Sequence, residues 1–301
     1  MGNADNFLAI KDEIFDTVFG HDKRTFLLID ATLKNYGSEP ELFEILKAYN
    51  VYPINFSCHE LDGVFPLYLV LLESDNIKDR EFFEISVRSA LDALEPDNIK
   101  QGKGRCVCAW FSSQLSIEQI SDFIINTAIQ HIQNIGDVLI RFFDPAVLGA
   151  LLDILDSWQK QRLLSNVNVW CYIDGDGIVR SLNGNGDSKK LSYSLGLTES
   201  DLLELKNIEV INKILLEYRG IGQNVLLSEI RAIQLLRPAI RFYSTHFIVE
   251  EDDDIVKFGM DVLISQKHFY LSPEFSKYLP ENNHNIKKSY NQLKSMISDG
   301  R

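Results

Sequence analysis

At 301 residues the chain is long enough for two lobes, since single hydrophobic cores stop growing at roughly 250–300 residues. With 45% hydrophobic and 24% charged residues and no long low-complexity tract, it has the composition of an ordinary globular protein. A formal net charge of −13 argues against a general nucleic-acid binder, because phosphate backbones reward concentrated Lys and Arg.

Thr25–Asp30 is a short apolar run and predicts a buried strand. Ser38-Glu-Pro-Glu41 has the form of a capping box, in which Ser38 accepts from an orphan amide while Glu41 reaches back. The helix it opens buries Leu42, Phe43, Leu46 and Tyr49 and ends near Asn50. Val51–Ser57 and Phe65–Leu72 are the next predicted strands, separated by a turn at Asp62-Gly63. A helix is predicted over Asp79–Leu94, with Phe83, Val87, Ala90, Leu91 and Leu94 on one face. Arg105–Phe111 is a further strand. Ser116-Ile-Glu-Gln119 makes a second capping box, and its helix places Ile120, Phe123, Ile124, Thr127 and Ala128 on one stripe, which His131 extends. Asn168–Ile173 and Ile178–Leu182 read as a hairpin about Asp174-Gly-Asp-Gly177.

The composition changes after Asn183–Lys190, a stretch rich in Gly, Asn and Ser, and the pattern becomes helical. Thr198-Glu-Ser-Asp201 resembles a capping box with Asp in place of Glu. Asn224–Leu236 predicts a helix that Pro238 kinks or restarts. Asp253 or Asp254 is placed to cap a helix carrying Ile255, Phe258, Val262 and Leu263. Ser272-Pro273 starts a short last helix, closed by Pro280. The expected organisation is an α/β (α+β) lobe over 1–190, with a mixed sheet flanked by helices. A mostly helical lobe over 191–281 and a polar, loosely held tail over 282–301 complete it.

Met1–Ile10 contains Asp5 and lacks a basic stretch and a sustained apolar run, so no signal peptide is expected. Val64–Leu72 is interrupted by Pro66 and falls short of the roughly 20 residues a membrane span requires. Cys58, Cys106, Cys108 and Cys171 all sit in strand-like apolar runs, the pattern of reduced, buried thiols in a cytoplasmic protein.

The most informative segment is Asp137–Leu155. It predicts a strand over Asp137–Phe143, with Val138, Ile140 and Phe142 on one face and Leu139, Arg141 and Phe143 on the other. Asp144 suits an N-cap and Pro145 the first helical position. The helix then presents Val147, Leu151, Ile154 and Leu155, flanked by Leu148 and Leu152. Arg141 is a charge in an apolar strand and must reach water, an acidic partner or a bound protein.

Arg141-Phe-Phe-Asp-Pro145, followed by this Leu-rich helix, resembles the Arg-aromatic-x-Asp-Pro signature of the type VI secretion adaptor chaperones, the Tap or TEC family. The strand at Leu27–Ala31, the Pro-Glu-Leu-Phe stretch at Pro40–Phe43 and Phe258-Gly-Met-Asp261 behind an Asp-rich loop are similar as well. The resemblance spans roughly residues 25–280 and is sharp only at the Arg-x-x-Asp-Pro region. It implies a bacterial cytoplasmic adaptor that holds a cognate secreted effector and helps load it onto the VgrG spike, by binding without catalysis. Arg141, Asp144 and Pro145 are then family-motif residues with a structural or partner-binding role.

Other constellations fall short of a site. Asp174-Gly-Asp-Gly177 starts like a calcium loop, but Ile178 and Asn185 stand where ligands belong. Gly184–Lys190 lacks the Gly-Lys-Ser/Thr order of a phosphate loop. Cys106 and Cys108 share a strand face, yet no second Cys pair completes a zinc site. Cys58-His59 would point to opposite faces, wrong for a nucleophile and its base. Glu250–Asp254 reads as a solvated loop. No catalytic residue, cofactor or metal is therefore assigned. An adaptor should expose an apolar patch, to which Phe242–Phe247 and Phe269–Phe275 are candidate contributors, although both stretches fit a core equally well. The alternative is an α/β enzyme whose site is assembled from scattered residues such as Asp30, Arg141, Asp144 and His246.

Overall fold

The computed structural model describes residues 2–19, 24–32, 40–56, 66–102, 104–186, 192–221, 226–247, 252–279 and 289–299. The predicted features at Ser38, Cys58-His59, Asp62-Gly63, 187–190, Glu250-Glu251 and Pro280 lie outside the described residues. The chain divides into two compact units, Met1–Leu202 and Leu203–Arg301.

The first unit opens with α1 (Gly2–Phe19), β1 (Arg24–Asp30), α2 (Pro40–Leu46), β2 (Tyr52–Ile54), β3 (Leu67–Leu72), α3 (Ile77–Asp92), α4 (Pro96–Lys100) and β4 (Val107–Ser113). It continues with α5 (Ile117–Ala128), β5 (Ile129–Ile132), β6 (Gly136–Leu139), α6 (Pro145–Ile154), α7 (Ser157–Leu163), β7 (Val169–Ile173) and β8 (Val179–Asn183). The strands form a six-stranded sheet in the order β2-β3-β1-β4-β7-β8, while β5 and β6 pair separately.

The expected sheet flanked by helices is present, but its pairings are all antiparallel rather than mixed. β1 and β4 are interior strands, buried from Thr25 to Asp30 and from Val107 to Ser113. A strand covered on both faces carries a continuous apolar run, the signature shared with parallel strands.

One face of the sheet presents Leu27, Ile29, Val70, Trp110 and Cys171 to a core shared with α1 and α3. α1 lies outside the predicted elements, although Ile10, Ile14 and Val18 recur four apart and all three are buried. Burial of each such side chain contributes on the order of 1.5–3 kcal/mol. Trp110 Nε1 donates to Ser86 Oγ at 2.8 Å, so this core leaves the indole N–H satisfied.

The opposite face is a chain of rings. Phe26 stacks on Phe111, Phe111 on Trp170, and Phe142 bridges Trp170 and Phe123. α5 supplies Phe123 and buries its whole predicted stripe, and the Ser116–Gln119 capping box forms in both directions. α5 stops at Ala128, however, so His131 lies in β5 instead of on the helical stripe. It is 74% exposed, with Nδ1 2.9 Å from Asp137 Oδ1. The turn that diverts the chain uses positive φ at Asn134 and Gly136.

The anticipated hairpin at Asp174–Gly177 joins β7 to β8. Asp174 accepts from the amides of Asp176 and Ile178 and from Arg180 Nε, which commits its carboxylate to the turn. Residues just beyond the Gly-rich stretch stay with the first unit. Gln130, almost fully buried, accepts from the Leu195 amide at 2.7 Å and donates to the Tyr193 carbonyl.

α8 (Glu199–Gly220) carries the chain across the division, and its Thr198–Asp201 capping box is formed. α9 (Glu229–His246) starts at the Ser228 cap and runs on through Pro238. α10 (Asp252–Ser265), a 3-10 turn over Phe269–Leu271, α11 (Pro273–Ser276) with its Ser272 cap, and α12 (Tyr290–Asp299) follow. This confirms the helical C-terminal part. Within the tail expected to be loosely held, α12 instead buries Tyr290 and Leu293. Its amino end carries a local Ser289–Gln292 capping box and a second cap from α10: Asp254, 1% exposed, accepts from the amides of Tyr290 and Asn291 and from the Tyr243 hydroxyl. Asp254 thus caps a different helix from the one its sequence position suggests.

Candidate functional site

The motif at Arg141–Pro145 is built at the end of β6. That strand stops at Leu139, earlier than the predicted Phe143. The Phe142 amide then donates to the Ile140 carbonyl at 2.8 Å and the Asp144 amide to the Arg141 carbonyl at 3.0 Å. These tight turns replace strict alternation. Phe142 and Phe143 are both fully buried, Phe142 against Phe123 and Trp170 and Phe143 against Phe56. Two consecutive rings enter the core because the backbone turns between them.

Asp144 caps α6 as anticipated, accepting from the Ala146 amide at 2.9 Å, and Pro145 occupies the first helical position. The buried stripe of α6 comprises Leu148, Ala150 and Leu151, with Leu155 just past its end. Val147 and Ile154 are only half-buried, a rotation of the predicted stripe.

Arg141 lies between two carboxylates. Its Nη2 is 3.1 Å from Asp30 Oδ2 and 3.1 Å from Asp144 Oδ2. The Asp30 side chain is 4% exposed, against 35% for Arg141. The second Asp30 oxygen accepts from the Thr32 amide at 2.9 Å and from the Thr32 hydroxyl. Every carboxylate oxygen of the pair is therefore engaged: each Asp gives one oxygen to Arg141 and the other to local backbone. Such a clamp ties the end of β1 to the start of α6.

Cys108 lies close to this charge cluster. Burial pushes its thiol well up, the Asp30 and Asp144 carboxylates push further, and Arg141 opposes them. A thiol held protonated is a poor nucleophile. The expectation that Cys106 and Cys108 share a face is overturned. The β1–β4 register passes from Leu28↔Ala109 to Ile29↔Val107, leaving Cys108 as an unpaired bulge residue. Cys106 accordingly joins the α3 side, 3.6 Å from Ser89 Oγ, while Cys108 faces the Asp30 cluster.

Of the four scattered residues, Asp30, Arg141 and Asp144 meet in the first unit. His246 belongs to the second unit, where its ring stacks on Phe242 and its Nδ1 lies 3.0 Å from the Phe242 carbonyl oxygen. Of the two readings of the aromatic stretches, exposed patch or core, most of their rings take the core. Tyr243, Phe247, Phe258, Tyr270, Phe275 and Tyr290 are all buried and surround one another. Sequence reasoning missed the role of Asp30 as the Arg141 partner, because nothing local links residues 111 apart.

Among the described residues no group of three or more His, Cys, Asp or Glu side chains is placed to hold a metal ion. Among them, too, no helix is long and apolar enough to cross a membrane. No family model, curated protein or solved structure matches the chain.

Proposed function

We propose that this chain is a type VI secretion adaptor, which holds a cognate secreted effector in the bacterial cytoplasm and helps load it onto the VgrG spike. It acts by binding alone. The observation that carries this reading is the meeting of two stretches on which the family resemblance rests. Leu27–Ala31 supplies Asp30, and Arg141–Pro145 supplies the guanidinium that binds it and the capping Asp144. Residue types that are unremarkable apart are here parts of one clamp. In this role Arg141 is a structural residue whose partly exposed edge lies beside the start of α6.

The test is affinity capture of the tagged chain from its native bacterium. Enrichment of a spike protein together with one secreted toxin supports the adaptor; recovery of neither sinks it.

The enzyme alternative has one observation in its favour, the convergence of Asp30, Arg141 and Asp144. Against it, the oxygens that a general base would use already accept hydrogen bonds or the guanidinium. Turnover of any substrate that is abolished by Asp144→Asn in a still-folded protein would restore the enzyme reading.

A further inference from the structure

The first unit carries a second feature, remote in sequence from the motif: a cleft of about 660 Å³ walled by α1, the carboxyl end of α3 and the β7–β8 turn. Its apolar lining is Phe7, Leu91 and Leu94, each partly buried and packed on the core beneath. Gly177 closes one side. Its φ of +76° is a left-handed turn position, and a Cβ there would sit in ordinary contact with Leu91 and Leu94.

The rim is acidic. Asp92, Glu95 and Asp176 line the cleft and are exposed. Glu84 also lines it but is already matched, 3.3 Å from Arg88 and 3.9 Å from Lys11. Arg88, in turn, lies 4.7 Å from the centre of the Phe7 ring and is held by Glu84. Among the described residues no cation pairs with Asp92 or Glu95. An apolar floor beneath surplus negative charge selects against anionic lipids and nucleic acids, and favours cationic side chains next to apolar ones.

We propose that this cleft docks a basic segment of a partner protein, a Lys or Arg flanked by bulky apolar residues. Apolar side chains fill the space over Phe7, Leu91 and Leu94, while the cation reaches Asp92 and Glu95. The proposal rests on the adaptor reading only in naming that partner as the secreted effector.

The experiment uses the full chain and a fluorescein-labelled peptide, Gly-Lys-Leu-Phe-Lys-Leu-Gly, followed by fluorescence anisotropy. A companion peptide carries Glu for Lys. The Lys peptide should bind and the Glu peptide should not. Asp92→Lys combined with Glu95→Lys should weaken binding about tenfold or more at low salt, as removal of complementary charge does. Leu8, half-exposed at the cleft edge, provides an uncharged probe, and Leu8→Ser should also weaken binding. Glu209→Lys combined with Glu217→Lys makes the same change in net charge on α8 and should leave binding intact. Equal loss in both double variants would reduce the effect to net charge and overturn the proposal, as would equal binding of the two peptides. Capture of the native effector separates the two readings. If the Asp92/Glu95 variant still captures it fully, the cleft is not its seat and the adaptor stands. If the intact chain captures none, the adaptor falls and the peptide titration still decides the cleft.

Discussion

Arg141 and Asp30 lie 111 residues apart in sequence, yet the Arg141 guanidinium holds the Asp30 carboxylate at 3.1 Å. Because Asp30 is almost wholly withdrawn from water, removing Arg141 strands a buried charge. Arg141→Ala should lower the free energy of unfolding by about 3 kcal/mol. Urea denaturation measures it, and a loss below about 1 kcal/mol would place the pair among solvent-screened surface bridges. Asp30→Asn should recover part of the loss in the double variant, because the stranded charge is gone.

Asp144 performs two tasks that substitution can separate. Asp144→Asn keeps an oxygen for the Ala146 amide and loses the charge facing Arg141; Asp144→Ala loses both. The alanine variant should be the less stable by about 1 kcal/mol, the usual worth of a cap. Equal stability of the two variants would mean that the cap contributes nothing here.

Asp254 is the hinge pin of the C-terminal helix. With three hydrogen bonds converging on one buried carboxylate, Asp254→Ala leaves the first amides of α12 uncapped and the Tyr243 hydroxyl without its acceptor. Hydrogen exchange over residues 290–299 should rise, with a local opening free energy lower by about 1–3 kcal/mol. Unchanged protection of α12 would show that the Ser289–Gln292 capping box, the Asp261 contacts and the packing of Tyr290 and Leu293 retain the helix without Asp254.

Alkaline pH should destabilise the first unit. Burial raises the Cys171 thiol from 9.0 to about 12, and burial together with Asp79 raises the Tyr49 hydroxyl from 10.0 to about 12. Between about pH 9 and 12 the unfolded chain therefore releases protons that the folded one retains, and stability falls as pH rises. Below pH 9 this stability is fully present. Melting temperature followed across pH 8–11, an interval chosen to cross the onset, should decline, and less steeply in Cys171→Ala measured against its own pH 8 value. In a Cys58→Ser background, Cys106, Cys108 and Cys171 should resist a thiol reagent until denaturant is added, since all three are buried.

Two glycines with the same chemistry should respond oppositely to alanine. A Cβ at Gly184 would strike the carbonyl oxygens of Leu164 and Val167, so Gly184→Ala should cost about 2–3 kcal/mol. At Gly149, inside α6, the added methyl meets only the Tyr172 hydroxyl at 3.7 Å. Gly149→Ala should stabilise by up to about 1 kcal/mol through helix propensity. Thermal melts of the pair decide it.

Local signals were legible in sequence for many residues whose partner lies within a few positions, although the Asp156–Gln159 capping box of α7 and the Ile10, Ile14, Val18 stripe of α1, equally local, stand outside the predicted elements. Ser116 with Gln119, Thr198 with Asp201, Asp144 with Ala146 and the Asp174 hairpin all formed as their spacing predicts. So did the apolar stripe of α5, because a helix repeats its faces by geometry alone.

The clamp at Arg141 shows where that reading stops. Its sequence establishes a cap, a first-turn proline and a charge that needs a partner, because these follow from backbone valence and the cost of burying charge. Which carboxylate answers the charge, that Cys108 bulges toward it, and that Phe142 and Phe143 both turn inward were decided by tertiary structure alone. Each depends on β1, β4 and α6 arriving at one place, and hydrogen bonding and burial energies act across space without leaving a trace in local periodicity.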